Sequence, residues 1–325
     1  MEWSQWMTEY YQDNMEEMIR SSLEKFGVTA EIHKEKVMAG GKEAEFYQCV
    51  CGEGKDFFDG IFFEDVKRLS EGIEEIETDE IIDALCEGMA DQYHYAEANH
   101  EKLFDKSITQ YLFPVLMNTG LHRCLLSEMP HEGRGEISVA LHLAIPTSGE
   151  SGYDISVTNS MLESWGMTFH EALEKALHNS WYIEQCNVLS SADILRMVNQ
   201  QIDKEWGGLY QVSGEDTQKA YTIYGKYIKA EGAFLCPDFL DMMHEKMEGD
   251  FLVGFMGANE VQIFQDQGNL EDMKFEIEFA NENHGFSDYI SDQIYSCSKE
   301  RGLESLLEVK NKELKSIYPE KVQTR

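Results

Sequence analysis

The sequence predicts an α+β protein, with antiparallel sheet hairpins covered by helices, strand-helix-helix units, and helical segments at both ends. Three observations carry this. Apolar residues recur at three-and-four spacing in several stretches, as on one face of a helix. Elsewhere they alternate strictly, as on one face of a strand. Strand-like runs follow one another across short glycine-containing turns, the connection an antiparallel pair needs.

The first element is a helix. Trp3, Trp6, Met7, Tyr10, Tyr11, Met15, Met18, Ile19, Leu23 and Phe26 mark its apolar face, and Gly27 stops it. Its other positions include Glu9, Asp13, Glu16 and Glu17, the wrong sign for a membrane-surface helix, so the helix is expected to dock on the body or on a partner. Val28 to Val37 and Ala44 to Val50 then read as a hairpin turning at Gly40 and Gly41. GIFFEDVKRL passes from a strand into a helix. Thr78 precedes a further helix with Ile81, Ile82, Leu85 and Met89 on one face.

The plainest strand runs from Ile137 to Ile145, with Pro146 ending it. Its alternation predicts one buried face, with His142 on the other side in a cross-strand hydrogen bond or in solvent. Across the loop TSGESG, Tyr153 to Thr158 completes a hairpin. Two capping boxes follow, Ser160 with Glu163 and Thr168 with Glu171, separated by Gly166 as a left-handed helix stop. A third helix is expected from Ser191. Residues 203–219 read as a linker or lid, and Tyr221 to Tyr224 should pair with Ala233 to Leu235 across AEG. Pro237 then opens a helix, Phe251 to Phe255 pairs with Val261 to Phe264, and Met273, Ile277 and Ala280 mark a last amphipathic helix.

These elements suggest residues 1–54 as a helix plus hairpin and 55–298 as the core, with a possible seam at 203–219. Residues 299–325 read as a charged helical tail. The net charge of -34 sits on the body. Seven basic and five acidic residues lie in 299–325, which leaves 20 basic and 56 acidic on 1–298, about -36. Such a field disfavours direct contact with nucleic acid or an anionic membrane and leaves a protein partner as the natural one. Seven scattered cysteines read as reduced thiols, and no stretch is a secretion signal or a span, so the expected compartment is the cytoplasm. Oligomeric state is not legible.

The segments YLFPVLMNTGLHRCLLSEMPHEGRGEISVALHLAI, ISVTNSMLESWGM and YIKAEGAFLCPDFLDMMHEKMEGDFLVGFMGANEVQIF follow in an order that resembles a bacterial family known as domain of unknown function 5688, over roughly residues 55 to 298. The resemblance implies a cytoplasmic bacterial product with no assigned reaction. The matching positions are Pro114, Asn118, Pro130, His131, Thr158, Asn159, Trp165, Gly166 and Gly232. The family's last hairpin turn is richer in Ser and His. Here it reads Gly257, Ala258, Asn259 and Glu260.

His94, Glu97 and His100, at three-residue steps, are candidate metal ligands if they share one side of a helix, against a solvated polar face as the plainer reading. Cys49 and Cys51 would lie on one side of a strand, without the second pair a zinc ribbon needs. Cys236, at a helix start, could carry a lowered thiol pKa or be a core residue. Candidate catalytic positions are His131, Asn159, Asn259 and Glu260, all in loops. No GxSxG, P-loop or dinucleotide fingerprint is present, so no cofactor is expected. The leading expectation is a non-enzymatic interaction or regulatory protein. A hydrolase-like enzyme using the loops around His131, Asn159 and Asn259 is the alternative, and a nucleic-acid mimic that binds a basic protein is a second one.

Overall fold

Hydrogen bonds at the first helix show how the local signals become structure. Ser4 accepts the Met7 N–H and starts α1 (Gln5–Lys25). At its far end Gly27 takes φ +77, and the amides of Gly27 and Val28 bond back to Glu24 and Leu23, closing the helix. The structure is a computed structural model. It describes residues 3–39, 41–51, 57–72, 76–146, 152–190, 193–194, 196, 220–225, 229–257, 260–265, 270–300 and 302–305.

The chain divides into two compact units. Unit 1 is Met1–Tyr182 with Asn283–Ser291, and unit 2 is Ile183–Glu282 with Asp292–Arg325. The seam expected at 203–219 and most of the helix expected from Ser191 lie outside the described residues.

Among the described residues unit 1 holds two antiparallel sheets. The first, ordered β1-β2-β3, comprises β1 (Ala30–Ala39), β2 (Lys42–Cys51) and β3 (Phe57–Phe62). One face carries Tyr47, Cys49 and Cys51 and packs with α1, α2 (Phe63–Gly72) and α3 (Thr78–Ala98). Met15, Ile19, Leu23, Val66, Ile82 and Cys86 fill that core. The other face packs Val37, Phe46 and Phe62 on Leu121 and Cys124. Each fully buried aliphatic or aromatic side chain in these layers is worth about 1.5–3 kcal/mol of transfer free energy.

After α4 (His100–Leu103) and a 3-10 turn at Lys106–Tyr111 comes the second sheet. Its centre is β6 (Ile137–Pro146), with β4 (Leu112–Asn118) on one side. On the other, β5 (Glu132–Arg134) and β7 (Gly152–Ser156) follow one another along its length. Between β4 and β5 lies α5 (Arg123–Glu128). The helices α6 (Asn159–Trp165), α7 (Phe169–Leu177) and α8 (Ser180–Glu184) follow the sheet.

Residues 283–291 are latched into unit 1 by side chains. The Asp65 carboxylate accepts the amides of Phe286 and Ser287 at 2.5 and 2.9 Å. Asn118 donates to the Ile290 carbonyl at 2.9 Å while its oxygen accepts the Gly120 and Leu121 amides. Ser291 bonds to Glu136. A side chain at Gly120 would put a Cβ 2.4 Å from the Met38 carbonyl oxygen, so this turn admits only glycine without movement.

Among the described residues unit 2 is built on a six-stranded antiparallel sheet. Its strands are β8 (Cys186–Ser190), β9 (Ala220–Gly225), β10 (Phe251–Phe255), β11 (Val261–Phe264), β12 (Ile294–Ser298) and β13 (Gly302–Ser305), in the order β13-β12-β10-β11-β9-β8. Among the described residues its long helices are α9 (Pro237–Met247) and α10 (Leu270–Asn283). Met273 and Ile277 of α10 pack on Leu252, Phe264 and Ile294. The predicted α+β class, with antiparallel hairpins and covering helices, is the observed one.

Four local expectations change. β6 is buried on both faces, because Ser138, Ala140 and Ala144 are small enough for a second layer to approach the side expected to face water. Thr158, not Ser160, caps α6, accepting the Met161 amide. Ala233 to Leu235 forms no strand. The segment Glu231–Leu235 winds into a 3-10 turn that feeds α9 at Pro237, and β9 pairs with β8 and β11 instead. In the segment expected to be a helical tail, Gly302 at φ +66 reverses the chain so that β13 pairs with β12. Residues 306–325 lie outside the described ones.

Candidate functional site

The β6-β7 hairpin gathers three side chains of complementary chemistry. Strand periodicity puts Asp154 and Ser156 on one face of β7, and register sets His142 of β6 opposite Ser156. His142 Nδ1 lies 2.5 Å from Asp154 Oδ1, and its Nε2 lies 3.4 Å from Ser156 Oγ. The imidazole is nearly enclosed, with about 10% of its side chain exposed, whereas Asp154 retains 30%. Phe113, opposite His142 on β4, sets its ring edge-on at 5.9 Å and is itself stacked on Tyr182.

A carboxylate that accepts Nδ1–H fixes the tautomer and leaves the Nε2 lone pair for the serine hydroxyl. The three groups thus form a directed chain from hydroxyl to imidazole to carboxylate. The cross-strand hydrogen bond expected of His142 is present, and the β6-β7 register makes Asp154 and Ser156 its partners. The available signal was register, since residues 142 and 156 sit symmetrically about the loop TSGESG and D-x-S alternation keeps both polar groups on one face.

Of the candidate catalytic residues, two converge. His131 Nδ1–H donates to the Met129 carbonyl at 3.0 Å, and Asn159 Nδ2 donates to the adjacent Glu128 carbonyl at 3.2 Å, so both are anchored at the end of α5. Glu260 belongs to unit 2, where its carbonyl accepts the Met256 amide. Asn259 lies outside the described residues.

Two of the candidate metal ligands lie together on α3, with His94 Nδ1 3.9 Å from Glu97 Oε2, and the third does not join them. His94 Nε2 sits 2.8 Å from the Phe26 carbonyl, and Glu97 accepts the Tyr93 hydroxyl at 3.2 Å. α3 ends at Ala98, so His100 starts a new helix and stacks on Phe104 at 4.2 Å. The three-residue spacing therefore keeps His94 and Glu97 on one side but not His100. Among the described residues no group of three or more His, Cys, Asp or Glu side chains is placed to hold a metal ion.

Burial decides the thiols. Cys49 and Cys51 do share a face of β2, but within the core, and burial pushes the Cys51 thiol up to about 12 and Cys49 well above its ordinary value. Cys236 is buried and is also pushed up to about 12, so desolvation outweighs the helix N-terminus expected to lower it.

A second polar group lies where α1 and α2 meet the first sheet. Glu45 pairs with Lys34 at 3.0 Å and accepts the Tyr47 hydroxyl at 3.1 Å. Glu64 accepts the Glu45 amide at 3.1 and 3.3 Å, and burial raises its pKa to about 7. Its role is structural: the carboxylate takes a strand amide just beyond the end of the β2-β3 ladder.

Comparison with protein families then places the chain. The model of a family of unknown function, DUF5688, matches residues 50–299. The chain belongs to this family. No curated protein and no solved structure gives a match. The DUF5688 span contains His142, Asp154 and Ser156 and the latch at 283–291, while α1 and most of the β1-β2 hairpin precede it. Among the described residues, no helix is long and apolar enough to cross a membrane.

Proposed function

We propose that this DUF5688 chain is a cytosolic interaction protein that binds a basic amphipathic segment of a partner protein along the outer side of α1. One observation carries the reading: an exposed aromatic pair set in a row of carboxylates. Trp6 and Tyr10, one turn apart, stack at 5.5 Å and are 69% and 46% exposed. Helical spacing continues their side through Asp13, Glu17 and Glu24, with Glu9, Glu16 and the single cation Arg20 beside it, all exposed. The opposite side, Met15, Ile19 and Leu23, is buried against α3 and holds the helix in place.

The expected docking of α1 on the body thus uses only half the helix. The other half offers apolar rings to a short hydrophobic face and carboxylates to flanking Lys or Arg, with cation–π contact available at Trp6. Unit 2 repeats the chemistry. Phe275 and Phe279 of α10 are 67% and 60% exposed among Glu271, Asp272, Glu276 and Glu278. All seven cysteines are unbridged, which fits a reducing compartment.

The test uses the full chain and a fluorescent Lys/Leu amphipathic helical peptide, read by anisotropy. Binding should weaken about tenfold or more in the Trp6→Ala/Tyr10→Ala double variant and fall with added salt. Equal binding by the double variant, or none by the wild type, refutes the surface.

A further inference from the structure

We propose that Ser156, His142 and Asp154 form a hydrolytic site for small uncharged acyl esters, with Ser156 as nucleophile. Three independent features support this. The hydroxyl, imidazole and carboxylate stand in the connectivity that nucleophilic acyl transfer requires, Ser156 Oγ on Nε2 and Asp154 on Nδ1. The imidazole is desolvated against Phe113, which strengthens its link to Asp154, while Asp154 and Ser156 keep access to solvent at the edge of β7. The 3.4 Å serine contact is of the loose kind found before substrate binds.

The third feature is backbone register. The Val157 amide bonds to the Leu141 carbonyl, so the next pair, His142 with Ser156, is a non-hydrogen-bonded one. The Ser156 N–H therefore points away from β6, and β6 is the strand with which β7 pairs among the described residues. A nucleophile whose own amide faces outward can offer that amide to the developing oxyanion. The body's negative field disfavours anionic substrates, and with Ser156 half-buried and His142 about 10% exposed, short acyl groups are favoured over bulky ones.

The reaction balances with water alone. Ser156 Oγ attacks the ester carbonyl carbon as its proton moves to His142 Nε2, and Asp154 holds the imidazolium. Collapse breaks the bond to the leaving alkoxide, which takes that proton. Water, deprotonated by His142, then attacks the acyl-serine, and the proton returns to Ser156 as the carboxylic acid leaves.

The experiment combines an alkyl fluorophosphonate probe, located by peptide mass mapping, with turnover of p-nitrophenyl acetate by the full chain. We expect one adduct, on Ser156. Ser156→Ala should lose both adduct and turnover, and Asp154→Asn should slow labelling about a hundredfold or more by disfavouring the required tautomer. Ser156→Ala deletes one half-buried oxygen, so its thermal transition should match the wild type and separate chemistry from misfolding. Absence of a wild-type adduct, an adduct on another residue, or turnover unchanged in Ser156→Ala overturns the proposal.

Discussion

Replacing Glu64 by Gln removes a half-buried carboxylate while keeping an acceptor for the Glu45 amide. In the folded chain the Glu64 pKa is raised from 4.5 to about 7, first by burial, then by the nearby charges of Glu45 and Asp65, against the backbone hydrogen bonds that lower it. A folded pKa above the unfolded one means that the native state binds the proton more tightly. The stabilisation from the protonated form is complete below pH 4.5 and is lost as pH rises through about 7. At 1.36 kcal/mol per pKa unit the full effect would be roughly 3 kcal/mol. Solvent reaches part of the side chain, so about 1–2 kcal/mol is the expected loss. Urea unfolding of the wild type and of Glu64→Gln, followed through the unit 1 transition across this window, isolates the effect as a difference, since other carboxylates titrate in both proteins. The wild type should lose stability relative to the variant as pH rises. A difference that is flat, or that grows in the wild type's favour, refutes the burial argument.

Asp65→Ala should cost about 1–3 kcal/mol, because it leaves the Phe286 and Ser287 amides without their acceptor, and hydrogen exchange at those two amides should accelerate. Thr158→Ala should destabilise by about 1 kcal/mol through loss of the α6 cap, more than Ser160→Ala, and thermal melts of the two variants decide between the observed and the expected cap. Cys49, Cys51 and Cys236 should resist alkylation by iodoacetamide in the native protein near neutral pH and react on unfolding, with mass spectrometry as the readout.

Where a signal is local, the sequence reading and the structure agree closely. The Gly27 stop, the Thr168–Glu171 capping box and the Gly166 left-handed turn depend on a few adjacent residues and occur as expected. So do the Gly41 turn of the first hairpin and the pairing of β10 with β11. Misreadings arise where the deciding partner is remote. Ala233 to Leu235 has strand-like composition, but β9 finds β8 and β11, and local i to i+3 bonds at Ala233 and Cys236 complete the 3-10 turn. The three-residue spacing of His94, Glu97 and His100 promised a shared face that the helix end at Ala98 denies to His100.

The candidate site divides in the same way. That His131 lies in a loop could be read from its flanking elements, whereas Asn159, also expected in a loop, is the first residue of α6 because Thr158 takes the cap, and their common anchorage at the end of α5 depends on the Glu128 and Met129 carbonyls being brought near. Strand alternation alone puts His142 on the face with Ser138, Ala140 and Ala144. Its pairing with Asp154 and Ser156 required the β6-β7 register, which a one-residue slip would have reversed.

By itself, then, the sequence determined the class of the protein. Hydrophobic periodicity, glycine turns and caps specify hairpins and helices because these rest on interactions within a few residues, and the net charge of -34 sets the field any partner meets. Tertiary structure alone decided that β6 is buried on both faces, that residues 283–291 are latched into unit 1 by Asp65 and Asn118, and that a serine, a histidine and an aspartate meet on one sheet face. Each of these follows from burial and register between separate elements, the first two between segments distant in the chain and the third between the paired strands of one hairpin, where a side chain's chemistry is set by what the fold places against it.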